Sequence, residues 1–453
     1  MDANDLAQEF SKQLAAGFGA IFVGSGISSA SAVPNWIGLL GGMARTRLGL
    51  IIDAEDNLPL VAQYIVNQAN GNRGPLVQHF REELTKHYPL NQYHTTLART
   101  NVKNLWTTNY DTLLEDAFRR YFHVNVKASD DSVSRSVENS EIEVVKMHGC
   151  IENSPHDDLV VTQEDYETFF DRRPAMARRL GQDLLNKSFL FIGYSYEDSD
   201  INNILVEARR LARNATRQHF IILLRNQDAK KQQRQDLWLG DLARVGIQAC
   251  QIDEFGELQK ILDRIALKSR GNTVFVTGSH SRNERKQSTR LQCIGRLLAQ
   301  ESNLVLLDGQ SAGTSRFVVS AYLEECIQRK ADILRRLSVF PNPYAANPNF
   351  SNDRNLIPIL KEWRSQLLRS AQVMVVYEGG MGTEAEVGVA LDLGCQIIPV
   401  PECKEDLPWR LLDQNQGIQD ALRSINGVYL DKALRCQVEP EDVMNCVRTI
   451  LNH

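Results

Sequence analysis

The chain has 453 residues, 43% hydrophobic and 24% charged, which excludes a disordered, collagenous or low-complexity protein and leaves room for two or three packed domains. Lys and Arg number 51 against 56 Asp and Glu, a formal charge of -5 that speaks against a nucleic-acid or membrane-surface partner. The eight cysteines form no CxxC pair and no Cys/His zinc spacing, so no metal is expected and a reducing compartment fits.

The opening MDANDLAQEF lacks the basic-then-apolar layout of a signal peptide, and no apolar run approaches the ~18 residues that span a bilayer. A soluble, cytoplasmic protein is expected. Leu6, Phe10 and Leu14 at four-residue spacing predict an amphipathic helix, broken by Gly17 and Gly19 before a buried strand over 20–23. Further strands are predicted over 105–108 before Asn109, 143–147 before His148, and 189–192 before Gly193. Ile201, Ile204, Leu205, Ala208 and Leu211 share a helical face behind the cap candidates Asp198 and Ser199. A polar helix around 227–236 precedes a boundary near residue 270, and a second strand series follows at 273–277, 304–307, 373–377 and 396–400. Residues 342–353 read as a loop. Strand, turn and helix in alternation define an α/β chain of two domains, 1–270 and 271–453, each a Rossmann-type parallel sheet flanked by helices.

Ligands of open parallel sheets bind beyond the carboxyl ends of the strands. The first-domain strands end in Gly24-Ser25-Gly26, Thr107-Thr108-Asn109, His148-Gly149 and Gly193-Tyr194-Ser195. Gly24 and Gly26 are expected to let backbone amides approach a pyrophosphate. The dinucleotide fingerprint GxGxxG is incomplete, with Ser29 where its last glycine belongs, and 44–50 (ARTRLGL) offers no acidic ribose anchor. A hydride-transferring dehydrogenase is the poorer reading. Ser25, Ser28 and Ser195 could equally satisfy turn amides, and Cys150 reads as a small buried thiol.

These strand ends resemble the sirtuin family: GSGISSASAVPNW its GAGxSxxSGIP loop, TTNYD (107–111) its TQNID, Met147-His148-Gly149 its HG, and GYS (193–195) its GTS. The resemblance implies an NAD-binding pocket, with Gly24, Ser25, Gly26, Ser28, Asp111, Gly193 and Ser195 as contacts, and cleavage of nicotinamide from ribose. The zinc cysteines of the family's deacylases are missing, and Asn35-Trp36 stands where they carry Arg, so water is the expected acceptor. Cleavage passes through an oxocarbenium-like ribose that the protein must position and stabilise. Asn109 is expected to orient water or ribose hydroxyls through its amide. His148, with an ordinary pKa near ~6.5, is expected to take a proton at neutral pH. Asp111 either holds a neighbouring group or caps the helix beginning at Thr112.

In the second domain EGGMGTEAEVGVAL (378–391) resembles the PGGxGTxxE motif of the lysine decarboxylase-like, or SLOG, nucleotide-binding superfamily. Thr383 and Glu386 also have capping-box spacing, a structural alternative for both. A sirtuin-like domain followed by a SLOG-like domain resembles the effector family of the bacterial Thoeris anti-phage system. That resemblance implies NAD+ hydrolysis switched on by a cyclic ADP-ribose isomer from a partner TIR-domain protein, in a homo-oligomer of tetramer size or higher. Signal contacts carried over by motif are Gly278, Ser279, Arg364, Gly382 and Glu386, and the loop after Tyr377 departs from the family in lacking a Lys. A sirtuin-like protein deacylase and a non-catalytic nucleotide sensor remain as alternatives. The arginine-rich run 172–179 is read as a subunit contact or a solvated helix face.

Overall fold

The computed structural model describes residues 1–53, 56–135, 141–152, 154–155, 158–194, 204, 217–244, 246–278, 284–310, 313–342 and 357–452. The chain divides into two compact units, Met1–Ser269 and Arg270–His453. Each is α/β, with one parallel sheet flanked by helices.

The first unit has seven strands: β1 (Gly19–Val23), β2 (Asn104–Thr107), β3 (Val124–Lys127), β4 (Ile142–Lys146), β5 (Ser188–Ile192), β6 (His219–Leu224) and β7 (Ile247–Ile252). They lie in the order β3-β4-β2-β1-β5-β6-β7, and every pairing is parallel. β1 therefore has β2 on one side and β5 on the other. The winding reverses there, which is where an open sheet forms its ligand crevice. Register aligns the carboxyl ends, with Val23 opposite both Thr107 and Ile192, and Thr107 opposite Lys146.

Both faces of this sheet are covered, so successive strand residues enter different cores. Ile21 and Val23 join one cluster with Leu105, Val144, Leu190 and Phe10. Ala20 and Phe22 join the other with Trp106, Val145, Phe189 and Phe191. The helix Ala3–Ala15 starts at Asp2, whose carboxylate accepts from the amides of Asn4 and Asp5, and it buries Leu6, Phe10 and Leu14. A third cluster belongs to the helices Trp36–Met43, Leu58–Gln68 and Gly74–Leu84, whose apolar faces pack on Tyr110, Leu113 and Ile151. These helices thereby cover the loops that follow β2 and β4.

The second unit has β8 (Thr273–Thr277), β9 (Val305–Asp308), β10 (Leu337–Val339), β11 (Val373–Val376) and β12 (Gln396–Pro399), in the parallel order β10-β9-β8-β11-β12. Strands β3, β6, β7 and β10 were not expected from sequence. β3 and β10 are too short to show an alternating pattern, at 4 and 3 residues. The helix expected over 201–211 and the loop at 342–353 lie outside the described residues, apart from Ile204 and Asn342. Among the described residues no helix is long and apolar enough to cross a membrane.

Candidate active site

The loops after β1 and β5 touch through their backbones. Gly24 and Gly26 donate their amides to the carbonyls of Ile192 and Gly193, at 2.8 and 2.9 Å. A Cβ on Gly24 would stand 2.6 Å from the Gly193 carbonyl oxygen, and one on Gly193 would stand 2.8 Å from that of Gly24, with Gly193 already at φ +77°. This corrects the expectation that the glycines free their amides for a pyrophosphate. Those two amides are spent within the fold, and glycine is demanded by the contact between the loops. Ser25 begins the short helix Ser25–Ser29 and is exposed. Ser195 lies outside the described residues.

Asn109 is buried at 7% exposure just beyond β2. Thr107 fixes its entry, accepting the Asn109 amide at 3.0 Å while donating to the Val23 carbonyl at 2.7 Å. The Asn109 side-chain Nδ2 then donates to the Gly24 carbonyl at 3.3 Å and to Ser28 Oγ at 3.2 Å. Ser28 Oγ in turn donates a hydrogen bond to Asp111 Oδ1 at 3.2 Å, and the same carboxylate oxygen accepts the Leu113 amide at 3.1 Å. Asp111 thus holds a neighbour and caps the helix Leu113–Arg119 at once. The amide oxygen of Asn109, Oδ1, is buried and accepts no hydrogen bond among the described residues. An orphaned buried acceptor is costly, and its usual explanation is a ligand or water. Thr108 and Tyr194 close the far side, their hydroxyls 3.2 Å apart, with Tyr194 also donating to Val23.

His148 follows β4, so it projects from the strand beside Asn109's. It is 2% exposed, and its ring lies among Tyr110, Tyr166 and Phe169 at centroid distances of 6.3, 5.3 and 6.5 Å. Burial, reinforced by the Arg173 guanidinium and opposed by Asp165, pushes its pKa down to about 3. The imidazole is therefore uncharged at neutral pH and a weaker base than the ordinary ring expected from sequence. Tyr110, stacked on Phe80 at 5.9 Å, fixes the adjoining wall and donates to the Val160 carbonyl.

Four residues near these loops escaped the sequence reading. Arg173, within the run assigned to a solvated face, is 6% exposed and donates to the carbonyls of Ala128, Met147 and Asp158. Lys146 and Glu115 are 0% and 1% exposed and paired at 2.8 Å. Burial works against the Lys146 ammonium, but Glu115 leads the charges that outweigh it and hold it above the ordinary lysine range. His94 is 1% exposed, and its buried Nε2 has no hydrogen-bond partner among the described residues. Lys146 falls within the strand expected over 143–147, Glu115 within the helix expected from Thr112 and Arg173 in the arginine-rich run, but none was singled out. Cys150 is fully buried, its Sγ 3.9 Å from Glu115, as an inert thiol should be.

The second unit gathers its own candidates at the ends of β8 and β11. Thr277 donates to Glu386 Oε2 at 2.6 Å, and Arg364 Nε stands 3.9 Å from Glu386 Oε1. Gly382 lies under the same guanidinium, a Cβ there meeting Arg364 Nη2 at 3.7 Å. Gly278 sits at φ +155°, where a Cβ would collide with Thr314 Oγ1 at 2.5 Å and the Glu378 carbonyl at 2.7 Å. Burial pushes the Glu386 carboxyl up, against the Thr277 hydrogen bond and the Arg364 charge. The helix Met381–Asp392 starts at Gly380 without any side-chain cap, so the capping-box alternative for Thr383 and Glu386 is overturned. Ser279 lies outside the described residues. No group of His, Cys, Asp and Glu among the described residues is placed to hold a metal ion.

The first unit is a parallel α/β sheet with its candidate residues at the strand ends, and within it residues 103–245 match the SIR2-like domain family. The chain is 31% identical over 365 residues to the NAD(+) hydrolase ThsA of Enterococcus faecium, covering 76% of each chain. It is 30% identical over 437 residues to NAD(+) hydrolase ThsA of Cytobacillus dafuensis, covering 88% of this chain and 85% of the relative. With NAD(+) hydrolase ThsA of Bacillus cereus (strain MSX-D12) it shares 28% over 341 residues, 72% of this chain and 71% of the relative. The chain belongs to the ThsA family.

Proposed function

We propose that the first unit hydrolyses NAD+ to nicotinamide and ADP-ribose, and that the second unit gates this by binding a cyclic ADP-ribose isomer. The observation that carries the reading is Asn109: a buried amide clamped by Gly24 and Ser28, with its oxygen left open at the sheet's switch point. The glycosidic C–N bond breaks with its electron pair going to the nicotinamide nitrogen, which neutralises the leaving group. Water then adds to C1′ of the oxocarbenium ion and loses a proton. Asn109 Oδ1 accepts from the water or a ribose hydroxyl, and Asp111 holds Ser28 and so the amide's orientation. An oxocarbenium carbon is electrophilic enough to need little help from a base. The low pKa of His148 is compatible with a hydrogen-bond acceptor that orients the nucleophile.

Arg364 and Glu386 support the sensing role. A guanidinium whose nearest carboxylate is 3.9 Å away retains donors for a phosphate, and Glu386 offers an acceptor for a hydroxyl. By family resemblance the signal comes from a TIR-domain partner, the protein works as a cytoplasmic homo-oligomer, and NAD+ depletion serves anti-phage defence. Nicotinamide release from NAD+, with and without cyclic ADP-ribose isomers, tests the reading. Signal-dependent release lost in Asn109→Ala and His148→Ala is expected. Release retained in both variants removes the site assignment, and silence under every isomer favours a sensor.

A further inference from the structure

Beneath the two catalytic loops runs a buried ion pair that the chemistry above does not use. Lys146 closes β4, two residues before His148, and Glu115 lies in the helix that follows Asp111. Lys146 Nζ donates to Glu115 Oε1 at 2.8 Å and to the backbone carbonyl of Asp111, two residues after Asn109. The strands beneath are paired, with Thr107 of β2 opposite Lys146 of β4.

A buried pair of this kind is weak evidence for stability, because desolvating both charges offsets their attraction and an apolar pair of similar volume fills the space as well. Glu115 Oε2 adds to that cost, since it is buried without a hydrogen-bond partner among the described residues. Nor is the ammonium poised for proton transfer, being fully buried and occupied by two acceptors. What the pair does supply is a directional link. One ammonium joins the loop carrying Asn109 to the strand carrying His148, and its second bond goes to backbone, which fixes the path of the loop itself.

We propose that Lys146, bonded to Glu115 and to the Asp111 carbonyl, is a positioning residue for NAD+ cleavage that sets Asn109 and His148 in register across β2 and β4. This rests on the NAD+-cleaving reading. It separates the tether from the pair: the Asp111 carbonyl bond carries the catalytic effect, and Glu115 serves to keep the tether protonated.

The test is steady-state nicotinamide release by the full-length protein, with kcat normalised to the folded fraction from circular dichroism. Variants are Lys146→Met, Glu115→Gln and the double Lys146→Met/Glu115→Leu, each under the condition that activates wild type. The double variant removes both buried charges, so it is expected to melt closer to wild type than Lys146→Met does. Its kcat is expected to fall at least about tenfold, with KM for NAD+ changed less than about threefold, because misplacement of reacting groups acts on the chemical step. Glu115→Gln keeps an oxygen acceptor and is expected to lose less kcat than Lys146→Met. A double variant with wild-type kcat overturns the inference, as does a loss in KM alone. An inactive wild type defeats the NAD+-cleaving reading itself, a result distinct from an active wild type matched by an active variant.

Discussion

Both units put their candidate residues beyond the carboxyl ends of central parallel strands, yet the two clusters are held differently. In the first, Asn109, Ser28 and Asp111 form a chain of 3.2 Å hydrogen bonds, anchored to backbone at Gly24 and Leu113. In the second, one short bond from Thr277 fixes Glu386, while Arg364 approaches it only to 3.9 Å. Bond formation and cleavage reward groups already in place, since orientation is then not lost at the transition state. Under the sensing role proposed for the second unit, a loosely paired arginine beside a carboxyl pushed up by burial leaves binding free energy to be gained when an anion arrives. The difference teaches that similar sheets can hold their strand-end side chains to different degrees: Asn109 is clamped through its nitrogen with its oxygen left over, whereas Arg364 is only loosely paired.

That comparison can be broken at several points. The largest effect is expected from Asn109→Ala, which removes the clamped amide: nicotinamide release should fall by about 10² or more, with the melting temperature little changed. A variant that keeps its activity would show that preorganisation at Asn109 is not the catalytic asset. Next comes Arg364→Ala, expected to weaken binding of cyclic ADP-ribose isomers by about 10- to 100-fold in calorimetry, the worth of a charged hydrogen bond. Unchanged affinity would place signal recognition elsewhere. Gly193→Ala forces a Cβ against the Gly24 carbonyl at a positive φ, and a loss of about 1–3 kcal/mol in denaturant unfolding is expected. A neutral result would mean that the β1 and β5 loops separate without cost.

Acid titration sharpens the contrast further. The folded pKa of His148, about 3, lies below the ordinary histidine value of 6.5, so between those values the unfolded chain binds the additional proton. Its contribution to stability is therefore fully present above pH 6.5 and lost as the pH falls toward 3, at about 1.4 kcal/mol per pH unit. His219, pushed down to about 4 by burial, titrates over an overlapping window. The difference between wild type and His148→Gln, measured by urea unfolding from pH 7 to 4, isolates His148. Equal slopes would show that the ring is not buried neutral. The smallest effect is expected from Thr277→Val, about 1 kcal/mol in the second unit's unfolding, the net worth of one hydrogen bond.

Much of this site was legible because strand ends announce themselves. Asn109, His148 and Gly193 each follow an apolar run, and the runs proved to be neighbours in one sheet. The roles of individual residues were less legible. Gly24 and Gly26 suggested phosphate contact but serve a loop-to-loop contact, which depends on a partner about 170 residues away in sequence. His148 invited its ordinary pKa, and only the surrounding rings and Arg173 show how far burial moves it. Lys146, Glu115 and Arg173 are charged residues in stretches that local pattern assigns to a strand, a helix and a subunit contact or solvated helix face.

The sequence by itself determined the α/β class, the position of the strand ends and the residue types available there, because period, turn chemistry and motif are local properties of the chain. Tertiary structure alone decided the strand order, the charge state of His148, the engagement of the glycine amides and the pairing of Lys146 with Glu115. Those depend on desolvation and on contacts between residues remote in sequence, which no local window contains.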